Sequence, residues 1–125
     1  MSVAVVVMLA LAGGVGAGSR FMLDGAIRAR SRTTLPIGTM IINVSGSLVL
    51  GLLAGLVLAH RLPLEVQAIA GTGFLGGYTT FSTASVETVR LVQSGRPGTG
   101  LLNAVGTMVL ALAGAAGGLA AGLAL

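Results

Sequence analysis

GTGFLGGYTTFSTASVE, residues Gly71 to Glu87, sets a Gly76–Gly77 pair and the run Thr79, Thr80, Phe81, Ser82, Thr83 inside an otherwise apolar chain. Three of the four aromatic residues, Phe74, Tyr78 and Phe81, fall here. Each unpaired backbone group in hydrocarbon costs several kcal/mol, so a lipid-dissolved helix avoids such an interruption. A break at membrane depth is tolerated where the backbone binds an ion or lines a wet cavity. The stretch therefore reads as a membrane helix broken around Gly76 and Gly77, whose lack of a Cβ permits unusual dihedrals.

The surrounding composition supports a membrane setting. Apolar side chains make up 54% of the 125 residues, charged ones 8%, and mean hydropathy is +1.01. Soluble domains carry about 25% charged residues. A spanning helix needs about 20 apolar residues, so four spans nearly exhaust the chain and leave no room for a soluble domain. We place them at Val3 to Phe21, Pro36 to Ala59, Leu64 to Val92 and Thr99 to Leu125, within one membrane domain, residues 1–125. Pro36 suits a first helical turn. The N-terminus has no basic residue before Arg20, unlike a signal peptide, and reads as a retained first helix.

The net charge is +4, and every basic residue is Arg. The arginines sit between the apolar runs, where lipid headgroups and topology signals explain them without nucleic acid. Arg28, Arg30, Arg32, Arg90 and Arg96 fall in or beside the first and third connections, and only Arg61 in the second. The positive-inside rule then puts the first and third connections in the cytoplasm and both termini outside. There is no Cys, hence no disulfide or thiolate chemistry.

Small residues recur at four-residue spacing: Gly14 and Gly18, Gly51 and Gly55, and Gly114, Gly118 and Gly122. This spacing lets helices approach closely in lipid. Neutral polar side chains also repeat on single helix faces. Thr39, Asn43 and Ser47 do so in the second span, Thr99, Asn103 and Thr107 in the fourth, and Thr80, Thr83 and Glu87 in the third, beside Thr79, Ser82 and Thr83. Lone Ser and Thr hydroxyls ordinarily bond back to their own helix. Asn43 fits either a structural or a pore-lining amide. Phe74, Tyr78 and Phe81 fall at i, i+4 and i+7, the spacing of a packing stripe. Glu87 lies one turn from Arg90 and reads as its salt-bridge partner.

No Ser-His-Asp, Cys-His or metal-ligand cluster is present, so enzymatic chemistry has little to work with. A proton-coupled small multidrug-type exporter needs an ionisable group in mid-span, and no span offers one there. Neutral amides and hydroxyls suit an anion path, since conduction needs sites that release as well as bind. Four helices are thin walls for such a path, which points to a homodimer or a heterodimer with a homologous subunit.

Four features resemble the fluoride-specific ion channel family, Fluc, also called CrcB. They are GGVGAGSRF at Gly13–Phe21, IGTMIINVSGSLVLG at Ile37–Gly51, GTGFLGGYTTFST at Gly71–Thr83, and the short four-span layout. The resemblance implies an all-α membrane protein of four transmembrane helices, the third broken mid-membrane, in an antiparallel dimer with two pores. It implies a passive, multi-pass channel of the cell membrane that lets accumulated fluoride leak out. By the same resemblance Asn43 is a pore-lining donor, Phe81 the first aromatic of the fluoride path, and Ser82 and Thr83 part of its hydroxyl track. Arg20 sits at a vestibule. Gly76 and Thr79 give backbone carbonyls to a structural sodium ion at the dimer centre. The chain departs from the pattern at Ala84, where relatives often carry a second Phe, and by lacking a fourth-span Tyr, with Asn103 in the comparable region. The arginine bias adds the expectation of a fixed orientation opposite a homologous partner. Ala84 adds that of a non-conducting partner subunit.

Overall fold

The computed structural model describes residues 1–125 and is all-helical. Helix α1 spans Val3–Arg30, α2 Ile37–Leu58, α3 Leu64–Val66, a π-helix Gln67–Leu75, α4 Gly76–Tyr78, α5 Phe81–Gln93 and α6 Pro97–Ala124. Three of these, α1, α2 and α6, are long and apolar enough to cross a membrane.

Helix α1 starts at Ser2, whose hydroxyl accepts from the Val5 N–H at 3.2 Å. It runs past Phe21, where the sequence reading ended it, to Arg30. Arg28 and Arg30 are thus helical rather than part of a loop. The Asp24–Arg28 pair, one turn apart at 3.0 Å, supports this extension. So do two arginines at the negative end of the helix dipole. At about 1.5 Å per residue, 28 residues reach ~42 Å, so the last turns extend beyond a hydrocarbon layer of ~30 Å.

Glycine, rather than bulky side chains, fills the interior. The only buried large apolar residues are Ile42, Leu75 and Leu91. Most of the other large apolar side chains are exposed, as expected where the solvent is lipid. Helices α2 and α6 pack backbone to backbone. A Cβ on Gly118 would lie 2.8 Å from the Leu52 nitrogen, and one on Gly122 2.8 Å from that of Leu56. Gly51 and Gly55 face α6 as closely, whereas Gly114 stands slightly farther off. A second tight pair joins α1 to the 64–78 course. A Cβ on Gly73 would meet the Leu9 carbonyl at 2.7 Å, and one on Gly77 the Gly13 carbonyl carbon at 2.9 Å. On α1, Gly13 and Gly16 make this contact. Gly14 and Gly18, the pair picked out by spacing, have open space around them.

Two connections turn through the same device. After α5, Gly95 (φ +83°) lets its own N–H reach the Val92 carbonyl and that of Arg96 reach Leu91. After α2, His60 (φ +58°) does the same, its N–H reaching Val57 and that of Arg61 reaching Leu56. Both are left-handed C-caps, but His60 carries a Cβ there.

Candidate functional site

The helical course of residues 64–78 stops at Thr79 (φ −80°, ψ 157°) and Thr80 (φ −149°, ψ 118°), and α5 starts at Phe81. The interruption therefore lies beyond the glycine pair. Gly76 is right-handed helical (φ −61°, ψ −40°), and Gly77 stays within α4. Gly77 serves close approach to α1, and no unusual dihedral is needed. The preceding π-helix widens the turn, with the Gly76 N–H bonding to Gly71 as well as Gly73.

Side chains take over the work of the missing helical bonds. The Asn43 amide clamps Thr80 from α2: its Nδ2 donates to the Thr80 carbonyl at 2.8 Å, and its Oδ1 accepts from the Thr80 N–H at 2.8 Å. Thr80 in turn caps α5, its hydroxyl accepting from the Thr83 N–H at 3.1 Å and lying 3.3 Å from the Ser82 hydroxyl. On the other side of the gap, the Thr79 N–H and hydroxyl both donate to the Leu75 carbonyl at 2.9 Å. The Arg20 guanidinium donates through Nε to the Gly77 carbonyl at 3.3 Å. That places a cation at the negative end of the 64–78 course. Ser45 and Tyr78 hydroxyls meet at 3.2 Å.

Beside this clamp a groove of about 670 Å³ lies between α2, α5 and α6. Asn43 and Ser47 line it from α2, Thr80, Phe81 and Thr88 from the interruption and α5, and Asn103 and Thr107 from α6. Thr88 donates to the Ala84 carbonyl at 2.9 Å, so its oxygen is free to accept from Asn103 Nδ2 at 2.8 Å. Asn103 is buried. Thr107 is also buried, and its hydroxyl has no protein partner. No charged side chain lines the groove.

The expected site residues divide. Asn43, Thr79 and Phe81 meet at the groove, whereas Thr83, a half-buried residue of α5, is not among the residues that line it. Ser82 is exposed beside Thr80. Phe81 is 88% exposed, so it stands at the rim rather than in a packed stripe. Phe74 and Tyr78 stack with ring centroids 5.9 Å apart, and the turn at Thr79–Thr80 separates Phe81 from them. Arg20 reaches the Gly77 carbonyl from α1, away from the groove lining, and Gly76 is exposed without a contact to α1. Ala84 lines the groove where a ring was expected. Glu87 pairs with Arg28 of α1 at 3.1 Å, not with Arg90. A tertiary partner displaces the local one. The roles of Thr80 and Thr88 escaped the sequence reading. A hydroxyl just before a helix start is a cap signal that could have found Thr80, but nothing local marks the Thr88–Asn103 pair.

Residues 7–119 match the sequence profile of the CrcB-like protein family, whose description reads Camphor Resistance. The chain belongs to the CrcB family. It is 56% identical over 117 residues to the fluoride-specific ion channel FluC 1 of Leifsonia xyli, covering 94% of this chain and 85% of the relative. It is 45% identical to FluC 2 of Cutibacterium acnes, also a fluoride-specific ion channel, covering 90% and 92%. To the fluoride-specific ion channel FluC of Syntrophotalea carbinolica it is 48% identical, covering 71% and 73%. The clamp, the groove and the Arg20 contact are thus features of a CrcB chain.

Proposed function

We propose that this CrcB chain forms a passive, fluoride-selective channel that lets cytoplasmic fluoride leave the cell and lowers its toxicity. The carrying observation is the Asn43–Thr80 clamp, which opens a helical crossing onto a groove of amides and hydroxyls. Residues 64–93 act as a third crossing, broken at Thr79–Thr80, giving four transmembrane helices. Such donors replace water around a small anion without holding it as a buried cation would. The α5 N-terminus adds its dipole. The Phe81 ring offers its positive edge, and the Ser82 and Thr83 hydroxyls continue the track. Arg20 sets a positive charge near the interruption, where it draws anions toward a vestibule.

The working unit is an antiparallel dimer in the cell membrane. The outward Phe81 and the open groove are what a second subunit would close. A structural sodium ion fits at the dimer centre. The Thr80 N–H, which in a continuous helix would bond to the Gly76 carbonyl, goes to Asn43 instead, and Thr79 is extended. The Gly76 and Thr79 carbonyls are the residues that would hold it; bound there, the ion supplies fixed positive charge.

Ala84 in the groove favours a second arrangement, in which a homologous subunit supplies the missing ring and this chain is its partner. Efflux from liposomes separates these readings. Fluoride release with little chloride release from this chain alone supports a homodimeric channel. Fluoride release only after mixing with a homologous subunit supports the heterodimer. Equal chloride release, or none of either ion in both preparations, refutes the channel.

A further inference from the structure

Helix α2 meets the interruption at three successive residues. Asn43 holds Thr80 through its two 2.8 Å bonds. The Ser45 hydroxyl donates to the Ile42 carbonyl at 3.1 Å, so at 3.2 Å it accepts from the Tyr78 hydroxyl. Between these two contacts, buried Gly46 faces Thr79. A Cβ on Gly46 would overlap the Thr79 Cγ2 methyl, and its next neighbours would be Tyr78 ring carbons at 3.3 and 3.6 Å. Gly46 lies inside α2 and needs no unusual dihedral, and glycine is a poor helix former. What it contributes is the space it leaves.

The Thr79 methyl cannot turn away freely. Thr79 Oγ1 donates to the Leu75 carbonyl at 2.9 Å, which together with the β-branch fixes χ1. Any change of χ1 that moved the methyl would also move the hydroxyl off Leu75. A Cβ at Gly46 that left this rotamer alone would push the Thr79 backbone from α2. Carbon atoms settle at about 3.5–4.0 Å, which asks for a displacement on the order of 1 Å. Added to 2.8 Å, such a shift takes both Asn43–Thr80 bonds past hydrogen-bond range. Asn43, Thr79 and Thr80 all line the groove, so the displacement is felt there, although Gly46 itself is not in the lining.

Resting on the fluoride-channel reading above, we propose that Gly46 is a positioning residue for conduction. It is the notch that seats the Thr79 methyl, keeps Thr80 within reach of Asn43 and so holds the groove donors in place.

The test is a double-mutant cycle between Gly46→Ala and Thr79→Ser, read as unitary fluoride current in planar bilayers holding the assembly that conducts. Serine keeps the hydroxyl and its bond to Leu75 while removing the methyl. In the wild-type background Gly46→Ala should lower the unitary current about tenfold, on the scale of one or two lost hydrogen bonds. In the Thr79→Ser background the same change should cost less than about twofold, since the nearest remaining atom lies at 3.3 Å. A role in folding alone would reduce the number of active channels and leave the unitary current unchanged. A loss that persists undiminished beside Thr79→Ser would place the overlap elsewhere. Either result overturns the proposal.

If Gly46→Ala does not assemble, the combination of Gly46→Ala with Thr79→Ser decides. It should assemble and carry a unitary current within about twofold of that of Thr79→Ser alone. Failure to assemble, or a much smaller current, overturns the proposal. A wild-type assembly that passes no fluoride refutes the channel reading and this proposal with it. A conducting wild type with an unchanged Gly46→Ala current refutes only the role of Gly46.

Discussion

Replacing Asn43 by Ala removes both halves of the clamp on Thr80. The Thr80 N–H and carbonyl each lose a 2.8 Å bond in a part-buried setting. No helical partner takes over, because Thr79 and Thr80 are extended. Leaving a buried polar group unpaired costs about 1–3 kcal/mol, so two such groups place the loss at roughly 2–6 kcal/mol. Asn43→Asp separates the two bonds. A carboxylate still accepts from the Thr80 N–H but turns lone pairs toward the Thr80 carbonyl and adds a negative charge to the groove. It should retain part of the stability and lose fluoride flux. Unfolding in detergent, followed by helical circular dichroism, reads the stability; liposome efflux reads the flux. Asn43→Ala unfolding with the wild-type midpoint would refute the clamp as the support of the interruption. Asn43→Asp conducting like wild type would refute a neutral donor groove.

Gly118→Ala places a Cβ 2.8 Å from the Leu52 nitrogen, which forces α2 and α6 apart at a cost of about 1–3 kcal/mol. Gly117→Ala points into open space and should gain up to about 1 kcal/mol from helix propensity; the two thermal melts, run side by side, check the interface. His60→Gly relieves a left-handed residue and should stabilise by about 1 kcal/mol without changing flux, as the same melt and efflux traces will show. Phe81→Ala should leave the melt of the isolated chain unchanged, because the ring is 88% exposed, while lowering fluoride efflux sharply. A melt that falls with Phe81 would place the ring in the subunit's own core.

The membrane class, the all-helical build and the three long apolar helices are written in composition and hydropathy, because lipid imposes one pattern on all spanning helices. The α2–α6 interface was legible for the same kind of reason: Gly51, Gly55, Gly118 and Gly122 at helical spacing permit what few other residues do. Spacing misled at Gly14 and Gly18, since the helix phase facing the 64–78 course is set by Gly13 and Gly16 instead. It misled again at Gly76 and Gly77. A glycine pair marks either a bend or a close approach, and only the position of α1 decides between them. Asn43 was recognisable as a costly amide, but its partner was not, because the acceptor and donor are backbone groups 37 residues away. Glu87 followed the same logic. The local Arg90 is obvious in sequence, yet α1 brings Arg28 closer.

Planar-bilayer recording with fluoride on one side and chloride on the other poses the question of selectivity without reference to rate. The assembly that carries current, whether of this chain alone or with a homologous subunit, should give a reversal potential far from zero, in the sense set by fluoride, and none of that current should survive Asn43→Asp. A reversal potential at zero, with chloride carrying as much current as fluoride, would contradict a fluoride-selective path through the Asn43–Thr80 groove.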